Sequence, residues 1–93
     1  MTVREKVLNE ARECVSGQRQ LDYGTPEDNF SIIANLWSAY TGSSITPLDV
    51  AMMMALMKVG QIRSGGGTGD SFVDLAGYAA CGAEIKEKME AKK

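Results

Sequence analysis

Asp70, Asp74 and Tyr78 stand four residues apart, so a helix through them sets two carboxylates and a phenol along one stripe. The stretch carrying them, Asp70 to Ile85, is otherwise largely apolar or small, and it follows the glycine-rich run Ser64-Gly-Gly-Gly-Thr-Gly69. Such a stripe is either a polar seam with structural partners or the wall of a ligand site. Three basic side chains are candidates to face it: Arg19, Lys58 and Arg63. Arg19 sits with Asp22 and Tyr23 in the connection Gly17 to Gly24, where it offers a planar donor fork and Tyr23 a stacking face. That connection is open to two readings, an ordinary linker with Leu21 and Tyr23 tucked onto the core, or a binding loop. Lys58 and Arg63 emerge near the end of a helix, where positive charge complements the dipole whatever else it does. As a set, Arg19, Asp22, Tyr23, Lys58, Arg63, Asp70, Asp74 and Tyr78 suit a nucleotide-like ligand. The cations would take its phosphates, and Tyr23, Trp37 or Tyr78 would stack on its base.

Four helical segments must position these groups. Thr2 followed by Glu5 has the pattern of a capping box, and Val3, Val7, Leu8, Ala11, Cys14 and Val15 then recur at helical spacing up to Gly17. This predicts a helix over about 3–16, with Glu10 and Glu13 among the charges on its solvent face. Thr25-Pro-Glu-Asp opens a second helix over about 26–41, with a hydroxyl at the cap, proline at the first position and acids in the first turn. Phe30, Ile33, Leu36, Trp37 and Tyr40 form its expected core face, and Gly42 is placed to stop it. Asn29 and Asn35 are polar groups within it, most simply bonded locally or exposed. Thr46-Pro-Leu-Asp49 repeats the starting signal for a helix over about 47–63, with Asp49 as a capping residue. That helix is apolar nearly all round, which marks burial by its own chain or by a second copy. The last helix covers about 70–90, with Asp70 at its start, and Gly77, Ala79, Ala80, Gly82 and Ala83 keep it slim enough for close approach. No stretch alternates as a strand does, so the expected fold is all-α, a compact four-helix domain spanning 1–93 that is oligomeric through the third helix.

Composition narrows the function classes. With 93 residues, 44% of them hydrophobic, a formal charge of -2 and a pI near 5.0, the chain is a small domain without the basic surplus of a sequence-independent nucleic-acid binder. Its longest apolar stretch, Val50 to Met57, is too short to span a bilayer, so no membrane partner and a cytoplasmic location are expected. The absence of histidine excludes an imidazole-based triad and disfavours a zinc site. Cys14 and Cys81 are far apart in sequence and are expected as buried free thiols. The glycine run reads as a linker, since it lacks the GxxxxGK[ST] spacing of a phosphate loop.

Gly17-Gln-Arg, Asp22-Tyr-Gly24, Asn29-Phe30, Leu36-Trp37, Ile45-Thr-Pro, Asp49-Val50, Lys58, Arg63 and Asp70 to Tyr78 together resemble an uncharacterised family of small phage and prophage proteins over nearly the whole chain. The resemblance implies a phage or prophage source and hence a host-cell cytoplasm as location. Asp70-Ser-Phe-Val-Asp-Leu-Ala-Gly-Tyr also resembles the corresponding helix of the MazG-like all-α nucleotide pyrophosphohydrolases. The latter resemblance implies a homo-oligomer in which carboxylates from two helices hold Mg2+ against a nucleoside triphosphate, with Asp70 and Asp74 as the metal ligands. Asp74 matches the aspartate of the family's Glu-x-x-Asp pair, while Ser71 stands at the glutamate position. The partner helix brings an acidic cluster in that family, whereas Val50 to Val59 contains no acid. Holding magnesium takes several converging oxygens. The expected function is therefore binding of a nucleotide or nucleotide-derived signal without turnover and without a cofactor, sequestering a host defence messenger. A Mg2+-dependent pyrophosphohydrolase and a protein-interaction module without a small ligand are the alternatives.

Overall fold

The computed structural model describes residues 1–16, 24–66 and 69–91, and within them the chain forms four helices and no strand. These are α1 (Val3–Val15), α2 (Pro26–Thr41), α3 (Pro47–Ser64) and α4 (Ser71–Ala91). Each observed end lies within one residue of the position read from the capping signals, because those signals act locally. At α1 the Thr2 hydroxyl accepts from the Glu5 N–H at 3.2 Å while the Glu5 carboxylate accepts from the Thr2 N–H at 3.1 Å. The same reciprocal box closes α3: the Asp49 N–H donates to the Thr46 hydroxyl at 3.1 Å and the Thr46 N–H to the Asp49 carboxylate at 2.9 Å. Asp49 is thus a cap. Gly42 and Gly65 end α2 and α3 with φ of 74° and 77°, left-handed values that favour glycine.

Glu5 carries a pH prediction. The bond from the Thr2 backbone, and then that from the Thr2 hydroxyl, lower its pKa below the ordinary carboxylate value. A depressed folded-state pKa means the box contributes fully above the unfolded value and is lost as pH falls through the folded one. Acidification is therefore expected to release amide protection in the first turn of α1 before the rest of the domain responds. Amide exchange read by NMR along a pH series checks this, and uniform loss across all four helices would contradict it.

α4 is the central element, packing against α1, α2 and α3. Phe30 and Ala34 of α2, Val50 and Ala51 of α3 and Ile85 of α4 form the buried core. Gly82 marks the tightest approach of α3 to α4: a Cβ there would lie 2.8 Å from the Met52 Cε and 3.4 Å from the Ala51 Cβ. The link from α2 to α3 is pinned by Ser38, whose hydroxyl accepts from the Ile45 N–H at 2.9 Å and donates to the Ile45 carbonyl at 3.2 Å. Lys88 of α4 reaches Glu27 of α2 at 3.6 Å.

Three sequence expectations are corrected. Leu36 and Tyr40, assigned to the core face of α2, are exposed, whereas Phe30 and Ala34 turn inward. On α1, Val3 and Leu8 are exposed and only Ala11 is buried. Cys14 is exposed and Cys81 half-buried, and neither is in a disulfide among the described residues. In each case helical spacing told which residues share a face, while packing against α4 decided which part of that face turned inward.

Candidate functional site

A cavity of about 260 Å3 opens where the C-terminal end of α1, the beginning of α2 and one face of α4 converge. Its α4 wall is Val73, Asp74, Gly77, Tyr78 and Cys81, positions one helical turn apart that share a face. Cys14 and Val15 close it from α1, and Gly24, Pro26, Asn29 and Phe30 from the α2 side. α1 packs over Gly77, where a Cβ would sit in ordinary contact, 3.5 Å from the Val15 Cγ1. The Phe30 and Tyr78 rings meet at 6.4 Å between centroids with planes tilted by 42°, a favourable aromatic geometry that steadies the Tyr78 ring.

The carboxylate of the wall is held from α3. Lys58 Nζ lies 3.1 Å from Asp74 Oδ2, with the lysine side chain 17% exposed and the aspartate 38% exposed. The pair is partly exposed, and it orients the carboxylate beside the cavity. The result is a pocket with an aromatic ring, a carboxylate acceptor and the Asn29 amide around one opening. Such a set suits a planar ring that presents N–H donors.

Of the residues singled out in the sequence, the structure brings Lys58, Asp74 and Tyr78 together. Asp70 is exposed, and its backbone carbonyl accepts from the Asp74 N–H at 2.9 Å, so its part in the start of α4 is through the main chain. Neither Asp70 nor Arg63, which is exposed in the last turn of α3, is among the lining residues. Arg19, Asp22 and Tyr23 lie outside the described residues, as does part of the glycine run. Sequence reasoning set Asn29 aside and missed Phe30 as a cavity wall. The one sequence signal for this convergence was the smallness of Gly77, which permits approach without naming what approaches. Among the described residues, no group of three or more acidic or thiol side chains is placed to hold a metal ion. Ser71, at the glutamate position of the MazG-like pattern, is only 2% exposed. Among those residues, too, no helix is long and apolar enough to cross a membrane.

Comparison with known proteins identifies a family. Residues 6–86 match the model described as "Domain of unknown function (DUF6378)". The Gene 55 protein of Mycobacterium phage D29 is 43% identical over 84 residues, covering 90% of this chain and 56% of the phage protein. The Gene 55 protein of Mycobacterium phage L5 is 44% identical over 85 residues, covering 90% of this chain and 52% of its own. The chain therefore spans about half the length of the curated relatives it matches. No solved structure matches. Neither the family description nor the relatives' names connect the chain to the MazG-like pyrophosphohydrolases.

Proposed function

The chain belongs to the DUF6378 family, which includes phage proteins, and from that premise and the cavity we propose that it binds a nucleotide or nucleotide-derived signal without turning it over. The observation that carries the reading is the wall formed by Tyr78, packed on Phe30, and Asp74, held by Lys58. At about 260 Å3 the cavity lies just under the roughly 300–1,000 Å3 of pockets for drug-sized ligands, so it suits a base with little more than its sugar. Tyr78 stacks on that base, and Asp74 and Asn29 take its polar edge. No lysine or arginine is among the described lining residues, so the phosphates point out of the cavity. The segment 17–23, which carries Arg19, begins two positions after the cavity residue Val15 and ends just before the cavity residue Gly24. Arg19 is the proposed phosphate partner. Sequestration of a host defence messenger is part of the same proposal, for which the phage relatives are the support. Self-association through α3 is the second part of the proposal, supported by the apolar outer face of that helix.

The test is thermal unfolding with a panel of linear and cyclic nucleotides. A ligand at a hundred times its Kd adds about 2.7 kcal/mol, which raises the Tm of a domain this size by more than about 10 °C. Tyr78→Ala is expected to remove that rise, and Asp74→Asn to reduce it and change which bases are accepted. Chromatography of the same mixtures with Mg2+ is expected to show intact nucleotide. Pyrophosphate release would establish the enzymatic alternative, and no shift across the panel would overturn ligand binding.

A further inference from the structure

We infer that two copies of this chain pair through antiparallel α3 helices related by a twofold axis at Leu56, a geometry that rests on the self-association proposed above and is independent of ligand binding. The outer face of α3 carries Met53, Leu56, Met57 and Val59, all exposed, with Leu56 at 68%. α2 connects to α3 through the short link 42–46, so the two helices lie side by side. Met53 lines an apolar groove with Trp37, Tyr40 and Ile45. Tyr40, itself 93% exposed, continues through Leu36 and Ile32 as an apolar stripe along α2. Together these side chains form one apolar face across α2 and α3, rather than the singly scattered apolar residues of an ordinary surface.

Charge selects the occupant and its direction. Asp49, Leu56 and Arg63 are seven residues apart, a heptad spacing that places them on one seam of α3. Asp49 and Arg63 are both exposed, and Arg63 has no ion pair with any described residue among those the structure records. An antiparallel copy centred on Leu56 sets each Asp49 opposite the other chain's Arg63. A parallel copy would oppose like charges at both ends. The seam is thus complementary to itself in one direction, which is the property of an isologous dimer. Adaptable methionines fill the rest of the contact.

Sedimentation velocity of the full chain over a wide dilution series, with circular dichroism to follow folding, tests the pairing. The expected result is a dimer whose dissociation constant rises at least roughly 30-fold in Leu56→Glu, with a smaller rise in Arg63→Glu that shrinks at high salt. The register is read by oxidative crosslinking in a Cys14→Ser, Cys81→Ser background, which decides the matter even if Leu56→Glu fails to fold. Leu56→Cys is expected to join two chains, and Arg63→Cys is not, because its copies sit about 20 Å apart along the pair. A monomer at every concentration, as a face reserved for a different protein would give, overturns both this pairing and association through α3. A dimer untouched by Leu56→Glu does the same. A dimer sensitive to Leu56→Glu but crosslinked through Arg63→Cys rather than Leu56→Cys leaves association through α3 standing and overturns the antiparallel register.

Discussion

Phe30→Ala is expected to lower the unfolding free energy by about 3–5 kcal/mol, a large share of the roughly 5–15 kcal/mol that holds a domain together. Phe30 is buried among Ala34, Val50, Ala51 and Ile85, and its ring also meets Tyr78 at the cavity. Truncation would remove core contacts and open the cavity floor at once, and helices fixed at both ends cannot fully collapse onto the gap. Urea unfolding measures the loss as a lower midpoint at an unchanged slope. Phe30→Leu separates the two roles. It keeps an apolar side chain of useful size, at a cost of about 1–2 kcal/mol, yet removes the ring that steadies Tyr78. A folded Phe30→Leu chain with a weakened response to nucleotide would locate the binding role in the aromatic pair. An undiminished response would show that the pair serves only the core.

The second large effect concerns the contact of α3 with α4. Gly82→Leu is expected to lower the Tm by roughly 10–20 °C, equivalent to overpacking by up to about 3 kcal/mol. The first added carbon already falls 2.8 Å from the Met52 Cε, and the atoms beyond it enter space held by Ala51 and Leu48. Gly82→Ala is the control. Its single methyl displaces only the end of a flexible methionine, and the helix gains about 1 kcal/mol of backbone preference over glycine, so the Tm is expected to stay nearly constant. Calorimetry on the two variants checks the contrast. A tolerated leucine would mean that the helices do not approach as closely as Gly82 allows.

What could be read without a structure was local. Thr2 with Glu5, Thr25 before Pro26, Thr46 with Asp49, and Gly42 announced where helices begin and end, because a cap is made by atoms a few residues apart. The expectation of four helices and no strand followed from the period of the apolar residues, and the described residues agree with it. The family resemblance to small phage proteins was likewise carried by residues spread along the chain.

Function depended on what lies far apart in sequence. The four-residue stripe of Asp70, Asp74 and Tyr78 was visible, but helical spacing treats its three members alike. Tertiary packing distinguished them: Asp74 and Tyr78 line a cavity, and Asp70 lies outside it. Lys58 could have answered only the dipole of α3; its 3.1 Å contact with Asp74 arises where α3 packs against α4. Leu36, Tyr40 and Cys14 were assigned inward by period and turned outward. A helical repeat specifies which residues share a face and leaves open how wide a sector the neighbouring helices cover. The sequence by itself thus determined the helices and their limits, since capping and periodicity are short-range. Only the tertiary structure decided which polar groups converge on α4 and which apolar faces were left outside, since both depend on the angles and distances at which separate helices pack.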